Sequence, residues 1–239
     1  MKLLSRYLPR SKNLANSFLF ILPLLVLYEV GIAVQGSGIR NTADVVVDEF
    51  FLKIFGRSGS LIFNILVIVF ICISVLYVEK KYRLSLFIFI PMLAESAIYA
   101  LCMGCGLGFL VFRVMFPLTI AKPFPENVWT NVLLSLGAGV YEEIIFRLLL
   151  ISLLYLLFTK LLKIKKPISA VVSIMIGALI FAAMHYMGVL KDSFTYASFT
   201  FRLLSGLILS VIFMYRGLGV VVYTHAFYDV WTVLKPLRS

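Results

Sequence analysis

The 239-residue chain is poor in charge, with Asp, Glu, Lys and Arg together making up only 14% of it. Soluble domains carry about a quarter charged residues and about half apolar ones. Here 62% of residues are hydrophobic and the mean hydropathy is +1.04, which excludes an ordinary soluble protein and a disordered chain alike. Cysteine is equally scarce. Cys72, Cys102 and Cys105 form no even set, so a disulfide scaffold is excluded, and Cys102-Met-Gly-Cys105 lies in an apolar run where packing is the expected role. There is no His-Glu-x-x-His helix, no Gly-x-Ser-x-Gly elbow and no phosphate loop, so serine-nucleophile and nucleotide readings lack support. Neither a linker nor an internal repeat is visible, and only two histidines occur in the whole chain.

Apolar runs are what the sequence has instead. A bilayer crossing needs roughly 20 such residues. Runs over 17–35, 60–78, 85–111, 128–158, 167–187, 195–214 and 217–234 predict an all-α, polytopic transmembrane bundle of about seven spans. The third and fourth runs are long enough for tilt, a kink or a half-span that would raise the number to eight, with Pro91 and the Gly104/Gly106/Gly108 cluster as break points. Basic residues precede the first run but no small-residue cleavage pattern follows it, so it reads as an anchored helix. Thr42 to Phe55 places Val46, Val47, Phe50, Phe51, Ile54 and Phe55 on one face, with Asp44, Asp48 and Lys53 mostly opposite, as in a short interfacial helix. The chain reads as one membrane domain, with N-terminal spans and the interfacial helix in 1–127 and a functional helix bundle in 128–234.

The net charge of +11 reflects topology. Twelve basic residues flank one side of the seven spans and eight the other, which places the N-terminus in the cytoplasm and the C-terminus outside. No nucleic-acid partner is implied; the partner is the lipid bilayer.

Ionisable residues left inside the spans carry the information, because each costs at least about 2.5–3.5 kcal/mol near the bilayer centre without a partner or a wet cavity. They are Glu29, Glu95, Glu142, Glu143, Arg147, Arg202, Asp229 and both histidines, His185 and His225. Glu143 and Arg147 stand at i,i+4 with the acid first, the favourable order for an ion pair. Glu142 points elsewhere and has no partner on its own helix. His225 and Asp229 are also spaced i,i+4, so the acid can fix the imidazole tautomer. Glu29 and Glu95 are expected to pair with Arg147 or Arg202. Arg202 is expected to snorkel, or to hold a substrate carboxylate. Trp129, Tyr223 and Trp231 read as interfacial or packing aromatics.

A carboxylate and an imidazole facing a second imidazole and acid suit hydrolysis of an acyl bond. Glu142, assisted by His185, can take a proton from water, while His225 with Asp229 stabilises the oxyanion. Glu142, His185 and His225 equally satisfy a His₂-carboxylate zinc site with an open position.

Glu-Glu-x-x-x-Arg at 142–147, Phe-x-x-x-His at 181–185 and His-x-x-x-Asp at 225–229, in this order on separate helices, resemble the three motifs of the CAAX-processing and bacteriocin-processing intramembrane proteases. That group includes the type II CAAX prenyl endopeptidases. The resemblance covers roughly residues 128–234. It implies an all-helical membrane protease that cleaves near the C-terminus of a membrane-associated protein. It also implies Glu142 and His185 as water activators, His225 and Asp229 as the oxyanion site, and Glu143 and Arg147 in support. Members are described both as metalloproteases and as metal-independent glutamate proteases; no cofactor is the preferred reading here, with zinc the alternative.

The last motif position is often Asn in that family. Asn donates a hydrogen bond, whereas ionised Asp only accepts, so Asp229 either is protonated, orients His225 or binds a metal. An outward-opening site in the bacterial inner (plasma) membrane would suit membrane-anchored C-terminal sorting tails better than prenylated tails presented from the cytosol. Two further readings compete: a non-catalytic scaffold, regulator or immunity protein keeping the family fold, and a transporter or proton relay.

Overall fold

The computed structural model describes residues 2–36, 40–58, 86–115, 127–187 and 193–234, with scattered helical positions between 62 and 80. The described residues form helices and turns, with no strand among them. The helices are α1 (Lys2–Ser11), α2 (Leu14–Gln35), α3 (Thr42–Phe55), α4 (Leu86–Met115), α5 (Val128–Leu161), α6 (Lys166–Met184), α7 (Tyr196–Arg216) and α8 (Leu218–Leu234).

Five of these, α2, α4, α5, α6 and α7, are long and apolar enough to cross a membrane. The sixth, α8, has 17 residues, at the lower limit for a crossing. About half of the expected span over 60–78 lies outside the described residues, and its described positions are helical. The outer surface carries large apolar side chains such as Leu153, Leu161, Ile98 and Val171, a density that water would not tolerate but lipid does.

The two long runs are resolved by a change of winding. In α4, Pro91 sits in the first turns of an uninterrupted α-helix from Phe89 to Gly108 and does not break it. Wide, π-type winding begins immediately after Gly108 and covers Phe109–Met115. In α5 the α-helical part ends at Glu142, wide winding covers Glu143–Ile151, and it recurs at Leu157–Leu161. Wide turns of this kind are rare and concentrate at functional sites.

Helix α8 occupies the centre, buried without interruption from Leu218 to Ala226 and packed against α2, α4, α5 and α7. One apolar cluster runs through both halves of the chain, joining Phe20, Tyr28 and Met92 to Val140, Leu209 and Val221. Close approach is achieved with glycine. A Cβ on Gly139 of α5 would lie 2.7 Å from the Ala226 Cβ and 2.9 Å from its backbone nitrogen. The single residue between α7 and α8 is Gly217, whose φ of 85° favours glycine and whose missing Cβ makes room for the Lys12 backbone.

Several expectations are corrected. The Glu95 carboxylate pairs with Arg216, accepting from its Nε and, at 2.7 Å, its Nη2, and also accepts from Tyr7 and Tyr99. It therefore fastens α1 and the α7–α8 corner to α4, away from Arg147 and Arg202. Glu29 accepts a 2.5 Å hydrogen bond from the Tyr141 hydroxyl. Helix α3 forms over the expected residues with Val46, Phe50, Ile54 and Phe55 exposed, but Asp44 does not face water. It is buried against Arg40 and the Tyr28 hydroxyl, 2.7 Å away. The three cysteines are exposed on the surface of the bundle and do not pack its interior. Of the aromatics, Tyr223 packs inside against Phe20, with ring centroids 4.2 Å apart, and Trp129 is exposed.

Candidate active site

The three motifs reach one another because α5 packs against both α8 and α6, and small residues let the helices approach. Gly139 abuts Ala226, next to His225 and one turn before Glu143. Gly206 of α7 lies against Ala178 and Phe181 of α6, one turn before His185.

Glu142 ends the tight winding of α5, and its Oε2 lies 3.9 Å from His185 Nε2. This exceeds a hydrogen bond. The other His185 nitrogen, Nδ1, is 2.8 Å from the Phe181 carbonyl oxygen. A carbonyl can only accept, so Nδ1 carries the proton, and in the neutral ring Nε2 presents its lone pair towards Glu142. Both side chains keep some exposure.

Glu143, the next residue, points the other way and is fully buried. Its Oε1 receives His225 Nδ1 at 2.6 Å and lies 2.9 Å from Arg147 Nη1. The expected Glu143–Arg147 pair is therefore present. The His225 contact across helices has no signature in either motif taken alone. His225 Nε2 lies 3.3 Å from Asp229 Oδ2, as the i,i+4 spacing predicts. Each of these two nitrogen–oxygen contacts needs one proton. A neutral imidazole brings one, so the trio Glu143–His225–Asp229 holds a second, on the ring or on a carboxyl.

Phe181 is the residue whose part was least visible beforehand. Its carbonyl fixes His185, and its buried ring carries the Arg147 guanidinium 4.3 Å from its centroid. The ring also packs edge-on to both imidazoles, 4.8 Å from His185 and 6.4 Å from His225, and so separates the two pairs. Arg147 is sealed in, and apart from the Glu143 contact its nitrogens have no hydrogen-bond partner among the described residues. The polar cluster thus has a closed inner half, Glu143, Arg147 and His225, and a more open outer half, Glu142, His185 and Asp229.

Arg202, in the second turn of α7, donates from Nη1 to the Tyr186 hydroxyl at 2.9 Å and to Ser198. Tyr186 directly follows His185, so this cation is tied to the rim of the site. On the opposite flank Tyr141, next to Glu142, is held by Glu29 and packs edge-on to Tyr28.

Among the described residues no three His, Cys, Asp or Glu side chains gather closely enough to hold a metal ion. Both His225 nitrogens face carboxylates, and the Glu142–His185 pair stands across Phe181 from them. The Glu142, His185 and His225 donor set is not assembled as a three-ligand site.

Residues 124–231, a little under half of the chain, match the model of the Rce1-like family, described as type II CAAX prenyl endopeptidase Rce1-like. No curated protein and no solved structure matches the chain. The matched segment contains Glu142, Glu143, Arg147, His185, His225 and Asp229, and through it this integral membrane chain is similar to the type II CAAX prenyl endopeptidases.

Proposed function

We propose that the protein is an intramembrane endopeptidase that hydrolyses a peptide bond near the C-terminus of a membrane-associated protein, using water activated by Glu142 and His185. The observation that carries this reading is the 3.9 Å gap between Glu142 Oε2 and His185 Nε2, with Nδ1 already committed to Phe181. With the His185 ring neutral, two acceptors face each other there. A water placed about 2.8 Å from each would subtend about 90° and donate one hydrogen to each. Its lone pairs would then face away from both, towards a substrate carbonyl. As that oxygen attacks, one proton passes to Glu142, which later returns it to the leaving amine.

His225 supplies the opposite side of the carbonyl. Its Nδ1–H is anchored on Glu143, while the Nε2 contact to Asp229, at 3.3 Å, is the weaker of the two and can be exchanged for a developing oxyanion. In this scheme Asp229 orients His225 and offsets its charge. The Glu143–Arg147 pair positions the imidazole without touching substrate. Arg202, held by Tyr186 and Ser198, is the group that would receive a substrate carboxylate. Each step is met by protein side chains, so no metal is assigned a part. The N-terminus is proposed to lie in the cytoplasm of a bacterial inner membrane, with the site opening to the outer side.

Proteolysis of a panel of C-terminally anchored substrates in reconstituted membranes tests the assignment. Glu142→Ala and His185→Ala are expected to lower the rate by roughly 10²–10⁴-fold. Equal processing by wild type and both variants would end the protease reading in favour of a scaffold, and a chelator in the same assay tests metal dependence. Accessibility labelling of cysteines introduced in 160–166 tests the orientation, which is overturned if that loop is external.

A further inference from the structure

The α5–α6 hairpin carries a feature that the peptidase reading leaves unused. Its tip holds four lysines in seven residues, Lys160, Lys163, Lys165 and Lys166, and no acidic residue occurs anywhere between Glu143 and Asp192. No carboxylate pairs with these lysines among the described residues. The turn is made by Lys163 with φ of 53°, a left-handed conformation unusual for a residue with a Cβ. The chain thereby doubles back so that Lys165 and Lys166, at the start of α6, face Lys160 and Thr159 at the end of α5. These four, with Tyr155, line an open recess of about 460 Å³. Directly beside it, Leu153, Leu156, Leu161, Leu162 and Ile168 are exposed, a wall suited to acyl chains.

A cationic recess with two hydroxyl-bearing side chains, continuous with a lipid-facing apolar wall, matches one ligand chemistry at both ends. We propose that this recess binds the phosphate of an anionic phospholipid, with Lys160, Lys165 and Lys166 on the phosphate oxygens and the acyl chains along the leucine wall. Ammonium groups serve phosphate as point charges, and juxtamembrane lysines attract anionic headgroups over neutral ones. A zwitterionic headgroup would bring its own cation into the cluster and lose most of this attraction. The proposal does not depend on the chemistry at Glu142, nor on which face of the membrane the tip occupies.

The test is native mass spectrometry of the full chain in neutral detergent, titrated with equal amounts of phosphatidylglycerol and phosphatidylcholine. The wild type is expected to retain phosphatidylglycerol in preference. The triple Lys160→Gln/Lys165→Gln/Lys166→Gln variant should weaken that association by roughly 100-fold, each single variant by about 5-fold, and the triple Lys→Arg variant much less. Equal retention of both lipids by the wild type, or unchanged preference in the single Gln variants, overturns the proposal. Displacement of phosphatidylglycerol by millimolar inorganic phosphate would overturn the lipid assignment and leave a free-anion site.

Discussion

Replacing Arg147 by Met tests whether Glu143, and through it His225, is held by charge. Arg147 and Glu143 are both essentially inaccessible, and the guanidinium nitrogen lies 2.9 Å from the carboxylate oxygen. At an effective dielectric of about 20 the attraction at that distance is about 6 kcal/mol, offset by the cost of holding two ions away from water. Removing the cation alone recovers only its own desolvation and leaves Glu143 facing His225 as its sole remaining partner. Loss of one member of a buried pair typically costs about 3–5 kcal/mol, and the contact with the Phe181 ring adds roughly 1 kcal/mol here.

The double variant Glu143→Gln/Arg147→Met should be milder than Arg147→Met alone, because no buried charge is stranded and the new amide oxygen still accepts from His225 Nδ1. A double-mutant cycle read by steric-trap unfolding in bicelles should therefore show coupling of about 2 kcal/mol or more. Additivity within about 0.5 kcal/mol would refute the reasoning, since two buried charges in direct contact cannot be independent.

Three further outcomes are expected. Gly139→Ala drives a Cβ into the Ala226 backbone and should cost about 1–3 kcal/mol in thermal unfolding with loss of proteolysis, whereas Gly106→Ala, with open space around its Cβ, should be neutral or slightly stabilising. Glu95→Gln leaves Arg216 buried beside a neutral amide and loosens Tyr7, so stability should fall by about 2 kcal/mol and limited proteolysis within residues 1–12 should accelerate. Asp229→Asn should hold His225 through its amide oxygen and keep the proteolytic rate within about tenfold, while Asp229→Ala, which leaves Nε2 unpartnered, should lose roughly 10²-fold or more.

The residues of the candidate site stand out in the sequence because bilayers make intramembrane charge expensive, so each Glu, Arg and His in an apolar run contrasts with its neighbours. Contacts within one helix followed from spacing alone, as with Glu143–Arg147 and His225–Asp229. Contacts between helices did not. Glu95 met Arg216 and Glu29 met Tyr141 because rotation and height of packed helices decide such partners, and neither is written in a hydropathy profile. The reach of Glu143 to His225 rests on Gly139 and Ala226 being small enough for backbones to touch, a signal carried by residues without chemistry of their own. Asp44 misled for a related reason. An acid on an amphipathic helix normally marks its wet face, but here Arg40 and Tyr28 supply a dry partnership that overrides the pattern.

The divergence of Glu142 and Glu143 bears most directly on how two adjacent glutamates could serve different ends. Helical neighbours diverge by about 100°. Both residues keep ordinary right-handed helical dihedrals, and this divergence leaves the first carboxylate on the exposed side with His185 while the second lies in the sealed half with Arg147 and His225. Burial then separates their roles. In the proposed mechanism the acid that receives and returns a proton needs access to water and substrate, which Glu142 keeps, whereas the one that fixes a histidine is most effective where no solvent competes, which is where Glu143 lies. Phe181 maintains the division by standing between the imidazoles, and its carbonyl sets the tautomer of the one that faces Glu142. A side chain too small to fill that position would let water reach Arg147 and join the two halves, so the bulk of Phe181 contributes to the site as directly as the charges it keeps apart.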